Sequence, residues 1–197
     1  MPLSSSYRQL FVAGQWQRTA SLALALFLIM FSFYFVTSWA PALLVQSGFS
    51  EKDGAAGGML LNLGGMLGAL LMGLGADRFG CRRLLPGFLL FNAVLMTLMV
   101  PATHFSWLAV IMGLGSGLLL YGAIAGVFTL APQGFETAIR TRGVGFVLAT
   151  GRIGAILSPA AAGLLLDHQW SVQSLFTVYG VSQILAALLI WRGGKSA

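Results

Sequence analysis

Hydrophobic residues fall in six long blocks separated by short polar stretches. A helix needs about 20 mostly apolar residues to cross the hydrocarbon core of a bilayer. The pattern therefore predicts six membrane spans, at residues 20–46, 55–75, 84–100, 106–131, 143–166 and 173–191. An even number of spans returns the chain to the side on which it started. The first block begins near residue 19 and is too long for a cleavable signal peptide. Small residues recur one helical turn apart in "GGMLG" (Gly64 to Gly68), "GLGSG" (Gly113 to Gly117) and "GAIAG" (Gly122 to Gly126). Lipid supplies no hydrophobic drive between helices, so these stripes are expected to let backbones approach closely and pack by dispersion. Pro41 and Pro159 fall inside the first and fifth spans, where each removes a backbone donor and predicts a kink.

Composition settles the class. Of 197 residues, 57% are hydrophobic and 8% are charged, against about 25% charged in a soluble domain. The net charge of +6 does not mark a nucleic-acid partner, because the basic residues lie singly or in pairs between apolar blocks. That is how topology-setting charge is distributed. With the N-terminus in the cytoplasm, Arg8, Arg18, Arg78, Arg82, Arg83, Arg140, Arg142, Arg192 and Lys195 fall on one side and only Lys52 on the other. Trp16 and Trp191 then mark the cytoplasmic ends, Trp107 and Trp170 the outer ends. The single cysteine, Cys81, excludes an internal disulfide. No His, Asp, Glu or Cys lies inside a predicted span, which argues against a membrane-embedded enzyme and implies no metal or cofactor. No polar pore-lining repeat suggests a channel either.

One polar stretch is more particular than topology requires. "GLGADRFGCRR" (73 to 83) places four charges between spans two and three. Gly73 and Gly80 read as bracketing a tight turn, with Asp77 and Arg78 at a helix end and Arg82 and Arg83 beyond it. The pattern resembles the signature loop of the major facilitator superfamily, roughly G-x-L-A-D-R-x-G-R-R-R, with Gly75 in place of the leucine and Cys81 in place of the first closing arginine. "FSFYFVTSWAPALL" (31 to 44), "NLGGMLGALLMG" (62 to 73) and "IRTRGVGFVLATGRIGAILSP" (139 to 159) resemble helices seven, eight and eleven of that superfamily's aromatic acid:proton symporter branch. The resemblance extends from about Arg8 onward; Thr137 departs from it, since the branch usually has a proline there.

The resemblance implies an all-α polytopic membrane protein of six transmembrane helices. They would form the C-terminal half, two inverted three-helix repeats, of a major facilitator fold. Residues 1–18 would be a remnant of the central cytoplasmic loop, 19–192 the six-helix half, and 193–197 a cytoplasmic tail. Met1 is an internal start or the edge of a fragment. The implied location is the bacterial inner membrane, with both termini cytoplasmic. The implied activity is proton-coupled uptake of a small aromatic carboxylate of the benzoate or hydroxybenzoate type. The other readings are a carrier of another solute (sugar, other organic acid or drug) and a half-size transporter that dimerises. The family's loop aspartate faces a helix N-terminus in the opposite half and latches that side shut, so Asp77 would need a helix from an N-terminal six-helix half. Such a contact contributes roughly 0.3–1 kcal/mol, weak enough to break in each cycle.

Arg152 is the only charge deep inside a span. An arginine at mid-helix costs about 2.5–3.5 kcal/mol on insertion scales, so it should face a cavity or a partner. Asp77 and Asp167 lie at span ends, and Glu51, Asp53 and Glu136 in loops. Either Arg152 snorkels or pairs with an acid in the absent half, or it offers a cation to a substrate carboxylate. Gly151 and Gly154 would keep its surroundings open, and a guanidinium can hold a carboxylate by two parallel hydrogen bonds. Tyr34, Thr37, Trp39, Asn62 and Tyr121 read either as packing or as the lining for a hydroxylated ring. His104 and His168 lie in outer loops, which places any proton carrier in the absent half.

Overall fold

The computed structural model describes residues 15–46, 50–102 and 106–193. Among them are six helices and no strand: α1 (Trp16–Gln46), α2 (Glu51–Phe79), α3 (Cys81–Ala102), α4 (Ser106–Gln133), α5 (Arg140–Asp167) and α6 (Val172–Arg192). All six are long and apolar enough to cross a membrane. Each predicted span lies inside one helix, and the helices overrun the apolar blocks at one or both ends. The physical reason is that hydropathy registers only the slab, whereas the backbone ladder continues until its polar groups meet water. Arg8, His104, Lys195 and the terminal stretches 1–14 and 194–197 lie outside the described residues, as does the side chain of Trp107.

Short connections make successive helices antiparallel, so α1, α3 and α5 run one way and α2, α4 and α6 the other. α2 packs chiefly on α4, α5 on α1, and α3 on α6; α3 also meets α4, and α6 meets α1. This set of contacts maps onto itself when α1–α3 are exchanged with α4–α6. Because the exchanged helices run in opposite directions, the repeats are related by a two-fold axis in the membrane plane. Burial follows the same symmetry residue by residue. Leu61, Gly64, Gly65, Gly68 and Met72 are buried on α2, and Gly151, Gly154, Ala155, Ser158 and Ala162 are buried on α5 at the same spacing. Leu26, Met30, Phe35 and Val36 of α1 correspond likewise to Gly113, Gly117, Gly122 and Ala123 of α4.

The glycine stripes do the packing expected of them. A Cβ added at Gly64, Gly68 or Gly117 would fall onto the carbonyl oxygens of Leu114, Leu118 or Leu61, so the α2 and α4 backbones touch. At the equivalent α1–α5 seam a Cβ on Gly154 would meet the Phe27 carbonyl. That seam is also tied by side chains, since Ser158 Oγ donates to the Phe31 carbonyl and the Trp39 indole N–H to the Pro159 carbonyl at 3.2 Å. α3 and α6 are joined through a buried polar chain. Asn92 Nδ2 donates to Gln183 Oε1 at 2.9 Å, and Gln183 Nε2 donates to Ser32 Oγ at 2.7 Å.

What remains uncovered positions the site. Met59, Met66, Leu70 and Leu74 of α2, and Leu148, Ile156 and Leu164 of α5, form exposed apolar stripes on repeat-equivalent helices. No other helix among the described residues covers them.

Candidate functional site

The reversal between α2 and α3 is made by one residue. Gly80 has φ +83, a left-handed conformation that L side chains resist. Its N–H donates to the Ala76 carbonyl at 3.0 Å, closing α2, and its own carbonyl accepts from Arg83 at 3.1 Å, opening α3. The expectation that Gly73 and Gly80 bracket the turn is therefore corrected. Gly73 lies inside α2, on its exposed side, with nothing within 4 Å of where a Cβ would sit. The helix runs past it because a glycine alone does not stop a ladder whose neighbours are good helix formers.

Asp77 and Arg78 occupy the last turn of α2 and are exposed. Asp77 has no hydrogen bond or ion pair among the described residues. A carboxylate there faces the negative end of its own helix dipole, so its favourable partner must come from elsewhere. Arg78 lies over the Phe79 ring, 5.8 Å from its centroid. Cys81 explains its own departure from the signature: it is buried, and its Sγ donates to the Gly126 carbonyl at 3.1 Å, where an arginine would not fit. Arg82 donates to the Gly193 carbonyl and so ties the start of α3 to the end of α6; Arg83 is exposed. Arg140 donates from Nε to the Phe135 carbonyl at 3.4 Å, and Arg142 is half-buried at the same end of the bundle.

Near the middle of α5, Arg152 lies on that helix's exposed stripe, about 18 Å from its first residue at 1.5 Å per residue. No hydrogen bond or ion pair holds it among the described residues. The repeat register gives it a counterpart. Asn62 stands beside Leu61 and Gly64 on α2 as Arg152 stands beside Gly151 and Gly154 on α5. Tyr121 on α4 and Tyr34 on α1 are the corresponding tyrosines. Tyr121 lies against Gly65 and donates its hydroxyl to Asn62 Oδ1 at 2.7 Å, while Asn62 Nδ2 donates to the Gly58 carbonyl at 2.8 Å. The Phe33 ring sits edge-on to both tyrosines, at 5.4 Å from Tyr34 and 4.8 Å from Tyr121.

The candidates therefore divide into two levels. Gly151 faces Leu26 and Gly154 faces Phe27, whereas Tyr121 meets Phe33 further along α1. Arg152 thus lies about 10 Å closer to the end carrying Gly80 than the Tyr121–Asn62 pair does, taking 1.5 Å per residue along α1. Trp39 and Thr37 are engaged in the scaffold: the indole N–H is held by Pro159, and the Thr37 hydroxyl bonds back to the Phe33 carbonyl at 3.1 Å. Sequence reasoning missed the Ser32–Asn92–Gln183 chain, whose only signal was three polar residues inside apolar blocks. No group of His, Cys, Asp or Glu among the described residues could hold a metal ion. Chemically, the arrangement offers a free guanidinium for an oxyanion at one level and a neutral hydroxyl–amide pair at the other.

Comparison with known proteins identifies the family. The model of the Major Facilitator Superfamily matches residues 22–196. The chain is similar to the 4-hydroxybenzoate transporter PcaK of Acinetobacter baylyi, at 28% identity over 94% of this chain and 40% of the relative. It is similar to the gallate transporter of Pseudomonas putida, at 29% identity over 96% of this chain and 42% of the relative. It also resembles the 3-(3-hydroxy-phenyl)propionate transporter of Escherichia coli, at 31% identity over 81% of this chain and 39% of the relative. The chain spans about two-fifths of the length of these relatives. With six helices in two inverted repeats and a one-residue signature turn, this chain belongs to the major facilitator superfamily.

Proposed function

We propose that the chain forms the C-terminal half of a transporter that carries a small aromatic carboxylate with a proton across a bacterial inner membrane. The carrying observation is Arg152, a cation near mid-span on an uncovered helix face, with no partner among the described residues. Leaving a guanidinium unpaired at that depth is costly, so its stable states are those in which an anion reaches it. A carboxylate fits its two parallel donors, and the aromatic acids named for the relatives supply one. The ring hydroxyls of those substrates suit a neutral pair such as Tyr121 and Asn62, with a second aromatic wall from Tyr34. Family membership and the relatives' names point to transport, not enzymatic chemistry.

The exposed stripes of α2 and α5 would pack against an N-terminal six-helix half, closing a cavity between them. Both termini and the loops with Arg78, Arg82, Arg83, Arg140 and Arg142 would be cytoplasmic, as the positive-inside bias directs. In that arrangement Asp77, opposed by its own helix dipole, would find a helix N-terminus in the other half and act as a breakable latch. Asp77, Glu136, Asp167 and His168 all lie at helix ends or in connections, so the proton carrier would belong to the other half.

The test is uptake of labelled 4-hydroxybenzoate into vesicles with an imposed pH gradient. The reading expects uptake when this chain is joined to an N-terminal half from a relative, and none from the chain alone. Robust uptake by the chain alone would replace this reading with a working homodimer.

A further inference from the structure

At the end of the bundle that carries Gly80, the helix ends do not close on one another. They leave two adjoining hollows of ≈ 260 and ≈ 290 Å³ that share Arg18 and Leu189 in their common wall. Arg82 lines the first, and Arg192 and Trp16 line the second. Leu22 and Ile190 give the first hollow an aliphatic wall below its arginines. Among the described residues, no acidic side chain lines either hollow. Arg82 spends one donor on the Gly193 carbonyl, while Arg18 and Arg192 have no partner among the described residues.

Topology alone does not account for this arrangement. The positive-inside rule asks only that basic residues sit near span ends, and surface loops satisfy it. Here three guanidiniums from α1, α3 and α6 converge on hollows between those helices, with aliphatic walls beneath them. A cationic mouth over an apolar wall matches a ligand with an anionic head and hydrocarbon tails. Trp16 and Trp191 are exposed at the same level, where indole rings favour the headgroup layer, and Leu24 offers exposed apolar surface about two helical turns deeper.

We propose that these hollows bind the headgroup of an anionic phospholipid, its phosphate received by Arg18 and Arg192 with Arg82 contributing from the adjoining hollow. Basic pockets between transmembrane helices are suited to such headgroups. The bound lipid would bridge α1, α3 and α6, the helices that meet at this end, and so brace the ends of both repeats against each other. The site is separate from the Arg152 face. Only the leaflet assigned to it rests on the orientation proposed above, because binding in detergent does not depend on orientation.

The experiment is native mass spectrometry of the purified full chain in detergent, titrated with phosphatidylglycerol or with phosphatidylcholine. One phosphatidylglycerol per chain should be retained under conditions that strip phosphatidylcholine. At about 1 kcal/mol per basic residue near an anionic lipid, each arginine contributes roughly five-fold, so Arg18→Gln with Arg192→Gln should weaken retention about 25-fold. The double change to lysine keeps both charges and should retain the lipid, which separates lost charge from lost fold. Millimolar inorganic phosphate should not displace the lipid. Equal retention of the two lipids, undiminished retention in the double glutamine variant, or displacement by phosphate would each overturn the proposal.

Discussion

The seam between α2 and α4 and the seam between α5 and α1 are the same interface in two inverted repeats, yet they are held and used differently. At α2–α4 glycines on both helices bring backbone onto backbone, and a polar pair there, Tyr121 and Asn62, is satisfied within the chain. At α5–α1 only α5 supplies glycines; Ser158 and Trp39 reach across to carbonyls, and the slot equivalent to Asn62 holds Arg152. A neutral amide can be satisfied by a tyrosine and a carbonyl. A guanidinium with five donors cannot be, when every acid in the described chain lies at a helix end or in a connection. Symmetry thus supplies two matching slots; a single residue difference leaves one a hydrogen-bonded packing contact and the other a guanidinium unpartnered among the described residues, which under the proposed function is an anion site.

The comparison breaks most severely at the backbone contact. Gly68→Leu must push α2 away from the Leu118 carbonyl, and overpacking of this kind costs about 1–3 kcal/mol or more. Thermal unfolding in detergent should show a large loss for Gly68→Leu and almost none for Gly73→Leu, whose Cβ position is open. A smaller loss is expected at the other seam. Trp39→Phe keeps the ring but leaves the Pro159 carbonyl without its indole donor, a change of about 0.6 kcal/mol on average for hydrogen bonds between membrane helices. Tyr121→Phe removes an exposed bond and should cost less still. If its effect instead matched that of Gly68→Leu, the view of α2–α4 as a backbone-packed seam would fail.

How much of this was legible in the sequence follows from the physics of each feature. Spans are legible because crossing a bilayer demands about 20 apolar residues whatever the fold. The signature turn was legible as a motif but not as a shape: Gly73 and Gly80 look alike as letters, and only φ at Gly80 tells them apart. The pairing of repeats was hidden, because Gly65 answers to Ala155 and Gly68 to Ser158, preserving size and not identity. Arg152 stood out because a mid-span charge is costly anywhere. Its match with Asn62 required the helix packing, and so did the finding that Trp39 spends its donor on Pro159. The Ser32–Asn92–Gln183 chain was invisible because its members lie on three helices that only the fold brings together.

The central claim is that Arg152 differs from Asn62 in being kept for a carboxylate, and one measurement addresses it. With an N-terminal half supplied, binding of 4-hydroxybenzoate and of its neutral amide analogue should be compared in the wild type, Arg152→Lys and Arg152→Asn. The wild type should prefer the acid. Arg152→Lys, a point charge without the planar fork, should weaken acid binding about 10- to 150-fold, the equivalent of about 1.5–3 kcal/mol for a charge-assisted bond. Arg152→Asn, which copies the other repeat, should abolish the preference for the acid while still inserting, since a mid-span charge has been removed. Equal binding of acid and amide by the wild type, or an acid preference that survives in Arg152→Asn, would contradict the account and make Arg152 a structural residue like its counterpart.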